Sequence, residues 1–109
     1  MSFDSLDITS FELSELLEKG ESLFLLDIRE PCEFELAQIP GSVNVPLTDL
    51  VQNLQKLQHS LPIVTICHYG YRSQQAAFIL KEHGFIQVVN LKGGIDAWSQ
   101  HIDPTVKRY

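Results

Sequence analysis

The segment from Ile63 to Gly84 constrains the fold of this chain most, because it changes from a strand pattern to a helical pattern around a single cysteine. Its first four residues, IVTI, form an apolar β-branched run typical of a strand buried on both faces. Cys67 follows directly, and after the flexible Gly70 the apolar residues recur at helical spacing until Gly84, which favours a helix stop. The segment therefore predicts a thiol between the carboxyl end of a buried strand and the amino end of a helix.

That position predicts a chemical role for Cys67. The backbone N–H groups in the first turn of a helix are unpaired and carry partial positive charge, so they stabilise an anion such as a thiolate. Arg72 adds a cation in the same loop. The alternative is an inert cysteine buried at a strand end, which is a frequent position for free cysteine. We expect the activated thiol, because a strand, a loop and a helix form the setting in which thiols act as nucleophiles.

The rest of the chain repeats this alternation of short apolar runs and helical patterns. Apolar runs predict five strands, near residues 6–8, 23–28, 43–45, 63–66 and 88–91. Helical spacing is expected after Thr9 or Ser10, after Pro31, through Leu47–Leu57, after Cys67 and through Ile95–Gln100. Short connections between such elements predict an α/β domain with a mostly parallel five-stranded sheet and helices on both faces. Ligands of such sheets bind at the carboxyl ends of the strands, where Cys67 lies.

The composition limits the class of protein. A chain of 109 residues with 44% hydrophobic content suffices for one domain, expected to span residues 1–109, and is too short for two. The net charge of -6 argues against nucleic acid or an anionic membrane as a partner, since both require clustered Lys and Arg. No apolar run approaches the ~20 residues that span a bilayer, and the first residues lack the pattern of a secretory signal. We therefore expect a cytoplasmic protein.

The two cysteines, Cys32 and Cys67, are too few for a disulfide framework, and no pair of Cys or His residues has the spacing of a zinc site. We expect neither a metal ion nor an organic cofactor. Cys32 has two interpretations: it is a second thiol that resolves an oxidised Cys67, or it is a small apolar filler on a helix. The filler is the simpler interpretation.

Three motifs, in order along the chain, resemble the signatures of one family. DIREPCEFELAQIPGSVNVPL is similar to the first signature of single-domain rhodanese-like sulfurtransferases, CHYGYRS resembles their active-site loop, and GGIDAW resembles the signature before their last helix. The departures are small: Ala37 and Gln38 stand where the family usually has Gly-His, and Ser42 stands where Ala is common. The resemblance implies a rhodanese fold over nearly the whole chain.

The resemblance also implies a two-step transfer of sulfur. Cys67 would take the outer sulfur of a donor such as thiosulfate or a persulfide, hold it as a persulfide, and pass it to cyanide, a thiol or a protein. Backbone N–H groups of the active-site loop would hold the negative sulfur. The loop residues that the resemblance implies are His68, Tyr69, Gly70, Tyr71, Arg72 and Ser73.

Several charged side chains near the predicted site have more than one interpretation. Arg72 is expected either to attract an anionic donor or to brace the loop through Asp27. Asp27, Arg29 and Glu33 predict an ion-pair group with a structural role or a place at the rim of the pocket. His68 suggests a base for the thiol, but neighbouring residues on an extended loop point apart, so a solvent-facing ring is expected.

Two features bear on the sulfur donor and acceptor. Tyr69 and Tyr71 stand where many family members that use thiosulfate carry a basic residue, which favours a persulfide or protein donor over the doubly charged thiosulfate. The ending WSQHIDPTVKRY is similar to the tail of rhodanese domains fused to enzymes that adenylate small sulfur-carrier proteins. That resemblance implies a sulfur-carrier protein or a cysteine desulfurase as a partner. The alternative is a tail that only packs against the domain or is disordered.

Two other functions remain open. A phosphatase or arsenate reductase also places Cys and Arg on a strand, loop and helix, and some of these enzymes share the rhodanese fold. Their loops resemble Cys, five residues, then Arg, whereas four residues separate Cys67 from Arg72. A non-catalytic rhodanese-like interaction module typically lacks the cysteine. The shorter loop and the presence of Cys67 both favour a sulfurtransferase.

Overall fold

The computed structural model describes residues 6–57 and 60–109 and forms one parallel sheet with helices. The strands in these residues are β1 (Asp7–Ile8), β2 (Phe24–Asp27), β3 (Val43–Asn44), β4 (Ile63–Ile66) and β5 (Val88–Leu91). The α-helices are α1 (Ser10–Glu18), α2 (Pro31–Leu36), α3 (Tyr71–Glu82) and α4 (Gly94–His101). The strand order is β1-β5-β4-β2-β3, with every pair parallel. The predicted α/β fold with a five-stranded parallel sheet is confirmed.

The central strand β4 is buried on both faces of the sheet. All four of its residues are buried, and successive side chains of a strand point to opposite faces. Val64 and Ile66 lie in one core cluster with Trp98 of α4 and the buried leucines of α1. Ile63 and Cys67 lie in the other cluster with Leu80 of α3. Helices therefore cover both faces, and the cysteine stands at the carboxyl end of the middle strand.

The helix ends follow the signals in the sequence. Thr9 caps α1: its hydroxyl accepts from the N–H of Glu12, and the Glu12 carboxylate accepts from the N–H of Thr9. At the end of α3, the N–H of Phe85 donates to the carbonyl of Leu80 across Gly84, which has a φ of 93°. The predicted helix stop at Gly84 is confirmed.

The segment from Leu47 to Leu57 is not the α-helix that its apolar stripe predicts. It forms two 3-10 helices, Leu47–Asp49 and Val51–Lys56. Asn53 inside the second has a non-helical conformation. Leu47 and Leu50 are three residues apart, as are Leu54 and Leu57, which fits the three residues per turn of a 3-10 helix. The leucines therefore reach the core on a tighter helix than expected.

The described part of the chain contains no helix that is both long and apolar enough to cross a membrane. Within the same residues, no three His, Cys, Asp or Glu side chains lie together in a way that could hold a metal ion.

Candidate active site

The loop that follows β4 turns sharply against a second loop, the one between β5 and α4. Gly70 has a φ of 104°, a left-handed conformation that glycine adopts far more readily than other residues. A Cβ atom on Gly70 would lie 3.1 Å from the backbone nitrogen of Gly93, so the close approach also disfavours a side chain at this position. The N–H of Ile95 donates to the carbonyl of Cys67 at 2.8 Å. The loop between β5 and α4 therefore holds the backbone of Cys67.

The sulfur atom of Cys67 is buried beside two groups that can donate a hydrogen bond to it. Only 1% of the residue is exposed. The N–H of Gly70 donates to Sγ at 3.0 Å, and the hydroxyl of Ser73 lies 3.2 Å from Sγ. Of the six loop residues that the resemblance implies, these two place a donor near the sulfur. Both groups can donate to an anionic sulfur placed at this position.

Asn90 of β5 organises the base of this loop, and nothing in the three sequence motifs points to it. Its Oδ1 accepts from the hydroxyl of Ser73, and its Nδ2 donates to the carbonyl of Gly70 at 3.1 Å and to the carboxylate of Asp7 at 3.0 Å. It therefore positions both residues that contact the sulfur. The available signal was an amide inside the apolar run VVNL, since a buried polar side chain needs hydrogen-bond partners.

The hydroxyl of Ser73 couples its orientation to the protonation of the thiol. A serine hydroxyl carries one proton and can donate it to one acceptor at a time. When Cys67 is a thiol, its S–H can donate to the Ser73 oxygen while the Ser73 proton goes to Asn90. When Cys67 is a thiolate, Ser73 can turn its proton to the sulfur. The single Ser73 proton therefore serves the sulfur and Asn90 alternately, and Asn90 Oδ1 loses its donor when the proton turns to the sulfur.

Arg72 pairs with Glu33 of α2 and not with Asp27, so the expectation that it braces the loop through Asp27 is wrong. Its Nη1 and Nη2 donate to the two carboxylate oxygens of Glu33 at 2.8 and 3.0 Å. These hydrogen bonds are the main cause that lowers the pKa of Glu33 to about 2. Asp27 cannot serve this role because it is occupied by Arg29.

Asp27 and Arg29 form a fully buried ion pair. Arg29 Nη2 lies 2.7 Å from Asp27 Oδ2, both side chains are 0% exposed, and neither lines the rim of the site. The guanidinium also donates to the carbonyl of Glu33 inside α2 and to that of Ala37 directly after it. Because α2 buries none of its own residues, these bonds position it on the domain. The pair therefore places Glu33, and through Glu33 it places Arg72.

His68 does not face solvent, so that prediction is wrong. Its ring stacks between Tyr69 and Tyr109, with each pair of ring centroids 3.9 Å apart and interplanar angles of 21° and 10°. In the described residues its Nε2 is buried without a hydrogen-bond partner. No hydrogen bond to Cys67 is seen there either. The second stacking partner comes from the far end of the sequence, which local reasoning about the loop could not include.

Cys32 is exposed on α2, so the interpretation of this residue as a small apolar filler on a helix is wrong. The reason is that α2 lies on the surface and is held by polar bonds to Arg29.

The two tyrosines shortly after Cys67 in the sequence, Tyr69 and Tyr71, face solvent and are 51% and 77% exposed. They border a surface depression of about 350 Å³. The loop therefore presents two uncharged aromatic side chains, Tyr69 and Tyr71, to this depression.

Glu33→Gln is expected to lower stability at neutral pH by about 1 kcal/mol, a value reduced for the partial exposure of Arg72. Because the pKa of Glu33 falls from 4.5 to about 2 on folding, the stabilisation is complete above pH 4.5 and is lost as pH falls through 2. Urea unfolding at pH 7, 4.5, 3 and 2 measures this. The difference between wild type and variant should be largest at pH 7 and shrink towards pH 2, with Glu35→Gln on the same helix as the control. A difference that stays constant over this range would contradict the assignment.

The chain matches known proteins over nearly its whole length. The family described as the rhodanese-like domain matches residues 9–101. The adenylyltransferase and sulfurtransferase MOCS3-2 of Zea mays is 36% identical over 113 aligned positions, which cover 97% of this chain and 23% of that protein. A protein named sulfurtransferase from Allochromatium vinosum is 35% identical over 100 positions, covering 92% of this chain and 94% of that protein.

A solved structure agrees with these matches. The crystal structure of SSP1007 from Staphylococcus saprophyticus has a TM-score of 0.81 and 26% identity, and the match covers 90% of this chain and 97% of that one. The chain spans about a quarter of the length of the maize relative. The fold, the three motifs and these matches agree, and the chain belongs to the rhodanese-like domain family.

Proposed function

We propose that this chain is a sulfurtransferase in which Cys67 carries the sulfur. The observation that supports the proposal most is the buried Sγ atom, which has the N–H of Gly70 at 3.0 Å and the hydroxyl of Ser73 at 3.2 Å. Preorganised donors of this kind stabilise the thiolate that must attack and later leave. Homology to sulfurtransferases supports the same class of reaction.

The proposed reaction has two displacement steps. In the first, the Cys67 thiolate attacks the outer sulfur of the donor and the sulfur–sulfur bond of the donor breaks. The donor leaves as sulfite if it was thiosulfate, or as a thiolate if it was a persulfide. In the second step an acceptor nucleophile attacks the outer sulfur of the Cys67 persulfide, and the Cys67 thiolate leaves. The sulfur is transferred without net oxidation, so no cofactor is required.

The charges around the thiol support a donor of low charge. The guanidinium of Arg72 is paired with Glu33, and that of Arg29 is paired with Asp27. The two exposed side chains of the loop are uncharged tyrosines. The depression beside the loop is also lined by one cation and one carboxylate, Lys92 and Asp7. These side chains together supply little net positive charge for a thiosulfate dianion, whereas a small persulfide needs none.

Loading of Cys67 is accordingly expected to be at least about tenfold slower with thiosulfate than with an alkyl persulfide at equal concentration. Rapid quenching followed by intact mass measures the persulfide formed with each donor. Cys67→Ser serves as the blank. Equal or faster loading by thiosulfate would contradict the proposed donor class.

We further propose a protein as the physiological acceptor. The tail similarity and the maize relative, whose name includes both adenylyltransferase and sulfurtransferase, support a sulfur-carrier protein in that role. A cysteine desulfurase is the corresponding candidate donor. Both described cysteines are free, which supports a reducing, cytoplasmic setting. Transfer from loaded Cys67 to an adenylated carrier, compared with transfer to cyanide, tests the acceptor.

Hydrolysis of aryl phosphates should be negligible, about a thousandfold slower than sulfur transfer. The loop between Cys67 and Arg72 is one residue shorter than the phosphatase pattern, and Arg72 is engaged by Glu33 instead of being free to bind a phosphate. Release of an aryl alcohol from its phosphate, measured beside thiocyanate formation, checks this. Robust hydrolysis that disappears in Cys67→Ser would support the phosphatase instead.

A further inference from the structure

We propose that Tyr109, the last residue of the sequence, is a positioning residue of the Cys67 site, an inference that rests on the proposed function. The hydroxyl of Tyr109 lies between two charged side chains from other parts of the chain. It accepts a hydrogen bond from Arg29 Nη1 at 2.7 Å and donates one to Glu33 Oε2 at 2.8 Å. It thereby joins the buried Asp27–Arg29 pair to the Glu33–Arg72 pair.

The ring of Tyr109 contacts the loop itself. It stacks on the ring of His68, the residue after Cys67, with centroids 3.9 Å apart and planes within 10° of parallel. The Arg29 guanidinium carbon lies 5.6 Å from the centroid of the Tyr109 ring. One side chain therefore holds two parts of the site: the ring holds the start of the loop, and the hydroxyl holds the carboxylate that orients Arg72.

Contacts of the preceding tail residues hold Tyr109 next to the Cys67 loop. Val106 is buried, and its carbonyl accepts from the hydroxyl of Ser99. Arg108 forms an ion pair with Asp96 of α4 at 3.0 Å. These contacts restrict the tail before its last residue, so less conformational entropy is lost when the ring of Tyr109 docks. The tail packs against the domain, as one sequence interpretation expected, and it also reaches the loop.

The protonation of Tyr109 suits this role. Burial is the main cause that raises the pKa of Tyr109 to about 12. The hydroxyl therefore keeps its proton at neutral pH and donates to Glu33, whose pKa near 2 keeps the carboxylate ionised. Glu33 Oε2 receives a hydrogen bond from Tyr109 and another from Arg72, so the tyrosine fixes the orientation of the carboxylate. Tyr109 acts through Glu33 and His68.

A double-mutant cycle tests the action through Glu33. Tyr109→Phe keeps the ring and removes the hydroxyl. It is expected to lower the kcat of sulfur transfer about fivefold, with little change in the KM for the donor. In a Glu33→Gln background the same change should have almost no further effect, because the group through which it acts is already altered. Lys107→Ala, an exposed tail residue, is the control. Wild-type kinetics in Tyr109→Phe, or effects of the two substitutions that multiply, would overturn the proposal.

A second measurement separates this inference from the proposed function, because it does not depend on sulfur transfer. Tyr109→Leu removes the ring that stacks on His68, and it is expected to raise the rate of Cys67 alkylation by iodoacetamide about threefold by loosening the loop. Tyr109→Phe should retain the wild-type rate, and thermal midpoints verify that all proteins are folded during the assay. Equal alkylation rates in Tyr109→Leu and wild type would overturn the positioning role of the ring. Absence of sulfur loading in the wild type would contradict the proposed function alone.

Discussion

Cys67→Ser is expected to lower the rate of thiocyanate formation by at least about a thousandfold, because a serine hydroxyl cannot hold sulfur as a persulfide. Cys32→Ser should leave kcat/KM within about twofold of wild type. The two thiols differ in surroundings: Cys67 is buried beside the N–H of Gly70 and the hydroxyl of Ser73, whereas Cys32 is exposed on α2. Initial rates with a persulfide donor and cyanide compare the variants.

The control for this comparison is the fold of each variant. Serine is close to cysteine in size and the Ser73 hydroxyl can still donate to its oxygen, so the thermal midpoint of Cys67→Ser should stay near that of wild type. Loss of activity in Cys32→Ser would assign the role of sulfur carrier to Cys32. Substantial activity in Cys67→Ser would mean that Cys67 does not carry the sulfur.

Asp27→Asn is expected to cost about 3–5 kcal/mol in the free energy of unfolding, because it leaves the buried Arg29 charge without its partner. The two side chains are 0% exposed, and Arg29 Nε donates to both Asp27 oxygens. The substitution keeps the size of the side chain, so the loss measures charge and not packing. Urea unfolding followed by tryptophan fluorescence gives the value.

Two comparisons interpret this loss. Replacing both partners together, as Asp27→Leu with Arg29→Met, should cost less than Asp27→Asn alone, because no unpaired charge remains inside. Lys19→Ala breaks an exposed ion pair with Glu15 and should leave the urea midpoint nearly unchanged. An Asp27→Asn variant as stable as Lys19→Ala would mean that the buried pair does not support the fold.

The position of Cys67 between a strand and a helix depends on local sequence, which explains why it could be predicted. A buried strand, Cys67, a glycine turn and a helix lie within one continuous segment, and β4 and β5 have the predicted bounds. Helix caps at Thr9 and Gly84 are local as well. Each of these features depends on backbone conformation over a few residues, which periodicity and turn residues report directly.

The partners of the site side chains depend on contacts that the sequence does not display. Arg72 pairs with Glu33, which lies 39 residues away in the sequence. That pairing depends on the position of α2, and Arg29 fixes this position by hydrogen bonds. Since α2 has no buried apolar face, no hydrophobic period in the sequence indicates where it packs. Tyr109 reaches Arg29 across 80 residues. Asn90 is marked only by its polarity inside a buried strand. The polarity of these residues predicts that each needs hydrogen-bond partners, but the sequence does not identify those partners.

The central claim is that sulfur resides on Cys67 between donor and acceptor, and peptide mapping tests it most directly. The protein is incubated with a persulfide or thiosulfate, freed of donor, and digested without reductant. We predict the mass of one added sulfur atom on the peptide that contains Cys67, and its removal by cyanide with an equal amount of thiocyanate formed. Added sulfur found only on the Cys32 peptide, or no added sulfur with any donor, would contradict the account.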